Sequence, residues 1–401
     1  MECRAAQLAE ARRLSHRERN PAGALAGAVV ALAAAMGLGR FAYTQLLPPM
    51  VEQLHLSALA AAWIAAANFI GYLAGALVAA YLCARFNERR VALLGLLTLA
   101  LTLALTASNG ALAWLVLTRF AAGIESAVIF VSVGILLFET LEQGLAMIAF
   151  GGIGIGIFFG AGLLAPIVAH GPWERGWYAI ALASLAATAI AWRLIPPIAS
   201  RAASGISITG GLPLRLVDAS YFLQGVGYVV FATFAVLYLV ERGESRAAAS
   251  GAWLAVGAGA TIGPWLSGVF ARRMGARLGL IFFQVLEALA TVVFALGPLP
   301  LPILAAFLFG ACFPTSGPLS TVMYIDLDPR DGARGLGWLT FIFAIGQIVG
   351  PLIAGPIAQH LGDFRVPLLL SAGALALAAL LIALVPHSAG RPPIRYETSS
   401  P

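Results

Sequence analysis

The chain has 401 residues, of which 60% are hydrophobic and only 10% are charged. A soluble domain carries about 25% charged residues, so this composition indicates an integral membrane protein. All 24 basic residues are arginine, and the absence of lysine excludes a P-loop nucleotide site and lysine Schiff-base chemistry. Three scattered cysteines and a net charge of +6 spread between apolar runs lead us to expect no cofactor, no metal and no nucleic-acid partner.

Twelve apolar runs follow one another along the chain, each near the roughly 20 residues that a spanning helix requires. They predict an all-α membrane protein, and we number them spans 1 to 12. Their residues are 22–50, 57–84, 91–108, 111–138, 144–170, 173–195, 213–241, 246–271, 276–297, 300–326, 332–360 and 366–385.

The positions of the arginines predict the orientation of these spans. If both termini are cytoplasmic, 18 of the 24 arginines fall in inner segments and four in outer ones, as the positive-inside rule requires. We therefore expect a multi-pass protein of the bacterial inner membrane, with both termini inside. The remaining two arginines, Arg40 and Arg119, lie within spans.

The chain contains an internal repeat. A shift of 188 residues, which becomes 190 after a short insertion, pairs Gly37 with Gly225, Arg85 with Arg273, Arg89 with Arg277, Pro166 with Pro356 and His170 with His360. This predicts a six-span bundle over 22–195 and a second over 213–385, joined by a cytoplasmic linker over 196–212 and flanked by cytoplasmic tails over 1–21 and 386–401. Parallel six-span repeats are typical of secondary transporters whose substrate binds near the bilayer midplane.

The chain resembles the major facilitator superfamily over nearly its whole length. Residues 37–48 of span 1 are similar to the YbfB/YjiJ branch, and Arg119 with Gly123 fits the superfamily pattern R-x-x-x-G. The resemblance implies two six-helix bundles that rock against each other in alternating access. Spans 1, 4, 7 and 10 then line the cavity, and spans 2, 5, 8 and 11 form the seam.

The loop after span 2 is similar to the superfamily signature G-x-x-x-D-R-x-G-R-R, with two departures. Ala84 replaces the aspartate and Asn87 replaces the glycine. In the second half, Arg272 replaces the aspartate. We expect the basic cluster of these loops to contact lipid phosphates or helix C-termini and to take part in gating. The cluster comprises Arg85, Arg89, Arg90, Arg273 and Arg277.

Glycines four residues apart mark spans 2, 5, 8 and 11. Such strips allow membrane helices to approach closely. The placement on seam helices predicts a surface on which the halves slide, and tight static packing is the alternative. The strips contain Gly71, Gly75, Gly152, Gly156, Gly160, Gly259, Gly263, Gly346 and Gly350.

Charged residues inside spans are functional candidates because an arginine at a bilayer centre costs about 2.5–3.5 kcal/mol on insertion scales. Arg40 and Arg119 lie at a similar depth on spans 1 and 4. Guanidinium groups bind carboxylate or phosphate in a bidentate manner, which predicts coordination of an anion. The alternative for Arg119 is a structural role in which backbone carbonyls and helix ends hold it.

Two carboxyl groups also lie within spans. Glu125, at the centre of span 4, either pairs with Arg40 or carries the coupling proton, because burial disfavours the charged form of a carboxyl group. Glu287, in span 9, has Gln284 one turn earlier. We expect these two side chains to form a structural hydrogen-bond cluster.

The second half has neutral polar groups where the first half has the two arginines. Tyr221, Gln224 and Tyr228 share one face of span 7, and Tyr228 is the repeat equivalent of Arg40. This asymmetry suits a small amphiphilic anion held between the halves. The predicted substrate-binding residues are Arg40, Tyr43, Thr44, Arg119, Tyr221, Gln224 and Tyr228.

We therefore predict a monomeric secondary transporter in the lipid bilayer that moves a small organic anion with coupling to protons. The alternatives are a proton-driven exporter of hydrophobic or cationic drugs, in which Glu125 binds the cation, and a membrane protein that does not transport. An enzyme is not expected, because all five histidines fall in tails or loop ends and no catalytic triad or HExxH pattern is present.

Overall fold

A computed structural model describes residues 21–141, 148–196, 211–328 and 332–386. Within these ranges the secondary structure is helical throughout. Eleven of the helices in this described part of the chain are long and apolar enough to cross a membrane. Most of the predicted tails, the start of span 5 and most of the predicted linker lie outside the described residues.

The helices follow the predicted spans closely. Span 1 is interrupted and consists of the helix Pro21–Leu32, the π-helical turn Ala33–Leu38 and the helix Ala42–Leu54. Spans 2 to 6 are Ala58–Phe86, Glu88–Thr106, Leu112–Thr140, Gly152–His170 and Trp173–Leu194. Span 7 is Leu212–Glu241, spans 8 and 9 together are Arg246–Leu296, span 11 is Gly332–Leu361 and span 12 is Arg365–Ala383. Span 10 comprises Leu301–Cys312, the 3-10 turn Phe313–Thr315 and Ser316–Leu327.

The segment Arg246–Leu296 is two spans because the chain folds back at Gly275, whose φ of 79° is not helical. The rings of Phe270 and Phe282 lie 5.1 Å apart, centroid to centroid. Twelve residues along a straight helix would separate them by about 18 Å. The eleven membrane helices are therefore consistent with the twelve predicted spans.

The same backbone conformation recurs in the first half at Asn87, which is the repeat equivalent of Gly275. Asn87 has a φ of 72°, and its side chain accepts a hydrogen bond from the Arg89 amide at 3.0 Å. Asparagine tolerates positive φ better than most residues. The departure from the superfamily signature at this position therefore keeps the turn.

Two repeat-related arginines fasten the last helix of their own half. Arg89 donates to the carbonyls of Trp192 and Ile195 at the end of span 6, at 2.8 and 2.7 Å. Arg277 donates to the carbonyl of Ala383 at the end of span 12, at 2.5 Å. Cations at helix C-termini satisfy free carbonyls and oppose the negative end of the helix dipole.

The glycine strips lie elsewhere than the sliding-seam hypothesis expects. A Cβ added at Gly71 or Gly75 would overlap carbonyl oxygens of span 4, and one added at Gly259 or Gly263 would overlap span 10. The strip on span 5 packs against span 1 and that on span 11 against span 7, through Gly152, Gly156, Gly160, Gly346 and Gly350. All nine glycines therefore allow close packing within a half.

Other glycines make the close approaches between the halves. A Cβ at Gly154 of span 5 would overlap the backbone at Thr261 of span 8, and one at Gly257 would overlap Phe158 in the opposite direction. Gly355 of span 11 similarly packs on Ala62 of span 2. The seam thus combines spans 5 with 8 and 2 with 11, as the resemblance implies, but through different residues.

The halves are closed together at the outer end, which we define as the end where span 1 finishes. Residues 34–50 of span 1 and 227–239 of span 7 are buried without interruption, whereas 21–33 and 212–223 leave one side uncovered. Contacts across the halves at the outer end include the hydrogen bond from Gln45 to Ser250 Oγ at 3.0 Å and the ion pair between Arg246 and Glu52.

Candidate functional site

Arg119 stabilises the interruption in span 1. The π-helical turn ends at Leu38 and the helix resumes at Ala42. Nη1 of Arg119 donates to the Gly39 carbonyl at 2.8 Å, and Nη2 donates to the Arg40 carbonyl at 3.1 Å. The geometry of this state corresponds to the structural alternative for Arg119, since both terminal nitrogens of its guanidinium bind backbone.

Arg40 has different surroundings, although its side chain is only 4% exposed. Its guanidinium carbon lies 4.5 Å from the ring centroids of both Phe69 and Tyr72 on span 2. Nη2 donates to the side-chain oxygen of Gln347 on span 11, and Nε has no acceptor. Among the described residues, Arg246 and Glu52 form the one side-chain ion pair. Arg40 therefore has no carboxylate partner in the described part of the chain.

Gln347 joins the two repeat-related positions of the site. Its oxygen accepts from Arg40, and its Nε2 donates to the Tyr228 hydroxyl at 2.8 Å. Gln347 is not among the site residues predicted from the sequence, although a single amide between Gly346 and Gly350 in an apolar span is a detectable signal. This amide spans the seam, because Arg40 belongs to the first half and Tyr228 to the second.

A column of nearly parallel aromatic rings extends from this bridge. Tyr221 stacks on Phe343 at 4.5 Å between centroids, Phe343 on Tyr228 at 5.4 Å, and Tyr228 on Phe313 at 5.6 Å. Tyr221 and Tyr228 are predicted site residues. Phe313 and Phe343, on spans 10 and 11, are additional members that periodicity alone does not distinguish from core residues.

The remaining predicted binding residues bond to other groups. The Tyr43 hydroxyl donates to the Ala61 carbonyl at 2.9 Å, and the Thr44 hydroxyl donates to the carbonyl of Ala232. Thr44 and Ala232 are separated by the repeat distance of 188 residues, so equivalent positions of spans 1 and 7 meet at the pseudo-twofold axis. Gln224 donates to Glu287.

Glu125 lies apart from Arg40. Its Oε1 accepts a hydrogen bond from the Thr102 hydroxyl of span 3 at 2.9 Å. Glu125 forms no ion pair among the described residues. Of the two roles that the sequence left open, pairing with Arg40 is therefore not realised in this conformation. Proton carriage by Glu125 stays a prediction.

The other arginines of the loop cluster face the surroundings. Arg85, Arg90 and Arg273 are exposed at the inner end, where span 1 begins. The guanidinium carbon of Arg85 lies 5.7 Å from the Phe86 ring. Their role in gating stays a prediction.

The space beside Arg40 is small in this conformation. Arg40, Thr44, Asn68, Arg119 and Thr233 line part of a cavity with room for about one water molecule. A substrate would require the two halves to separate at this level. If a substrate binds here, the arrangement is a closed form of the candidate site that Arg40, Gln347 and the aromatic column border.

Comparison with known proteins agrees with this architecture. A family model described as uncharacterised MFS-type transporter YbfB matches residues 32–383. The chain belongs to this family of the major facilitator superfamily. The predicted family and fold class are thus confirmed. A comparison with curated proteins gave no significant match.

Solved structures of other superfamily members share the fold. A point variant of the nucleoside transporter NupG has a TM-score of 0.71 at 13% identity, and the match covers 90% of this chain and 99% of NupG. The human organic anion transporter MFSD10 (TETRAN) has a TM-score of 0.62 at 17% identity, with 90% and 99% covered. At these identities the likeness establishes the fold and leaves the substrate open.

Proposed function

We propose that this family member is a secondary active transporter of a small organic anion, coupled to protons and working by rocker-switch alternating access. It acts as a monomer in the bacterial inner membrane, with both termini in the cytoplasm. Two six-helix bundles, 22–195 and 213–385, move about the linker 196–212.

The uncompensated charge of Arg40 carries this proposal. A buried cation is costly unless it is paired, and charges within spans usually mark substrate or ion pathways. Arg40 lies at the seam, has an Nε donor without an acceptor and has no carboxylate partner among the described residues. An anionic substrate supplies the missing charge when the halves separate.

The aromatic column supports an amphiphilic substrate. Tyr228 and Phe343 offer flat apolar faces next to the amide that binds Arg40. Rings stack on planar groups with a gain beyond the area that they bury. A carboxylate bound by Arg40 and an apolar or planar body against the column would engage both halves.

Uptake into reconstituted vesicles tests the proposal. Labelled small carboxylates, with benzoate as the planar member, are offered under an imposed pH gradient. We expect Arg40→Ala to reduce uptake at least about 30-fold, because truncating a buried charge contact costs about 2 kcal/mol or more. Thermal unfolding verifies that the variant is folded.

Arg175→Ala is the matched control, because it removes an arginine that is exposed near the start of span 6. It should transport like the wild type. Normal uptake by Arg40→Ala contradicts the proposal. Movement of the lipophilic cation tetraphenylphosphonium without any carboxylate indicates the drug-export alternative.

A further inference from the structure

A second buried polar cluster lies within the second half, one helical turn from the site. Glu287 of span 9 and Gln284 are completely buried, and Ser220 and Gln224 of span 7 are each 1% exposed. Gln224 Nε2 donates to Glu287 Oε2 at 2.7 Å, and Gln284 Nε2 donates to Ser220 Oγ at 3.2 Å. These four residues connect spans 7 and 9 in the membrane interior.

This cluster has too many acceptors. Oε1 of Glu287, Oε1 of Gln224 and Oε1 of Gln284 are all buried without a hydrogen-bond donor. A carboxylate is an acceptor only, whereas a protonated carboxyl group also donates. A buried acceptor without a hydrogen-bond donor destabilises the folded protein. One proton on Glu287 converts one of these acceptors into a donor that can satisfy a neighbouring amide oxygen.

Among the described residues, no cation is placed to neutralise Glu287. Within the described residues the side-chain ion pair is Arg246 with Glu52. The titratable groups that act on the same region are Tyr228 of span 7 and the thiol of Cys312 on span 10, both buried. An ionised Glu287 would therefore be an isolated buried charge, which is strongly disfavoured.

We propose that Glu287 is the proton-binding site that couples this transporter, with Gln224 as the group that positions its carboxyl. Protonation takes a proton from water and forms an O–H group at Oε1, which donates a hydrogen bond to a glutamine oxygen. Release returns the proton to water and leaves a carboxylate. The coupling role rests on the proposed function, whereas proton binding by Glu287 does not.

A chain of polar contacts leads from Glu287 to the arginine that carries the proposed function. Gln224, which binds Glu287, and Tyr228 lie four residues apart and hence on one face of span 7. Tyr228 accepts from Gln347, which accepts from Arg40. Movement of the seam that breaks the Gln347 bridge therefore alters the surroundings of both the carboxyl group and the guanidinium group.

Infrared difference spectroscopy of the protein in lipid, recorded between acidic and alkaline buffer, detects the C=O stretch of a titrating carboxylic acid without a substrate. We expect Glu287→Gln to remove a band that Glu125→Gln retains. Gln224→Leu should shift the band, because it removes the hydrogen-bond donor to Glu287 Oε2. Glu287→Asp keeps a carboxyl group and serves if the glutamine variant does not fold.

The opposite pattern, in which Glu125→Gln removes the band and Glu287→Gln retains it, overturns the proposal. A band that neither Glu287 variant alters also overturns it. The Glu287→Gln variant should still exchange the carboxylate that the wild type transports when its concentration is equal on both sides of the membrane. It should no longer accumulate this carboxylate when a pH gradient is imposed. Failure of all carboxylate uptake would contradict the proposed function, while the infrared result still decides proton binding.

Discussion

Arg40 and Arg119 lie at neighbouring depths, yet they bind different kinds of groups. Arg119 donates to two backbone carbonyls at the interruption of span 1, so its terminal nitrogens already have partners. Arg40 binds one neutral amide and lies over two aromatic rings. The difference follows from the acceptors within reach, since backbone of the same half holds Arg119 whereas Arg40 binds a side chain of the opposite half.

Gln347 offers a direct test of Arg40. Gln347→Glu has nearly the same shape and places a carboxylate on the guanidinium group. We expect carboxylate uptake to fall at least about tenfold, because the new charge occupies Arg40 and repels the substrate. Thermal unfolding should show a protein that is at least as stable as the wild type.

Gln347→Met separates charge from the loss of the bridge. It removes the amide without adding a charge, so Arg40 stays available and substantial uptake should remain. If the methionine and glutamate variants lose carboxylate uptake equally, the uptake depends on the Gln347 bridge and not on whether a carboxylate already occupies Arg40.

At the scale of the helices, glycine contacts set how closely spans pack within each half. Gly71 of span 2 lies against the backbone at Phe120 of span 4, and Gly123 of span 4 lies against the backbone at Asn68. The two helices therefore approach through reciprocal glycines. In lipid such packing is a principal driving force for association, because apolar tails solvate leucine as well as protein does.

Gly71→Ala should destabilise the protein by about 1–3 kcal/mol, because its Cβ overlaps the carbonyl oxygen of Phe120 and the helices must separate. The measurement is the thermal unfolding midpoint of the purified protein in detergent. Gly162→Ala is the control, since a Cβ at Gly162 of span 5 meets no atom within 4 Å. Similar midpoints for both variants would contradict close packing at Gly71.

At the scale of the whole molecule, contacts at the outer end hold the halves together. Nη1 of Arg246, at the start of span 8, donates to the Val168 carbonyl of span 5 at 2.9 Å, and Nη2 pairs with Glu52 of span 1. Thr44 and Ala232 meet deeper in the same interface. Because these contacts belong to opposite halves, they must break for the outer end to open.

Arg246→Ala should raise outer-end opening about two- to fivefold, because a partly exposed ion pair contributes up to about 1 kcal/mol. The measurement is labelling of Thr233→Cys, a position 4% exposed beside Arg40, by a membrane-impermeant thiol reagent. The native cysteines are replaced by serine. Arg175→Ala should leave the labelling rate unchanged. A labelling rate in Arg246→Ala equal to that of the wild type would show that the contacts of Arg246 do not keep the outer end closed.

The sequence by itself determined the all-helical membrane fold class and the family, because hydropathy and motif spacing are encoded locally along the chain. It also located Arg40, since a charge in an apolar run stands out without any tertiary information. From the sequence, Asn87 is only a departure from the superfamily signature. In the structure it shares a positive φ with Gly275, so the turn is kept.

The tertiary structure decided which arginine binds backbone, which helices the glycine strips contact and which residue bridges the halves. Arg40 and Gln347 are 307 residues apart, and Gln224 and Glu287 are 63 apart. Helical periodicity places a side chain on a face but does not say which distant helix covers that face. Both the bridge at Gln347 and the acceptor cluster at Glu287 arise from such packing.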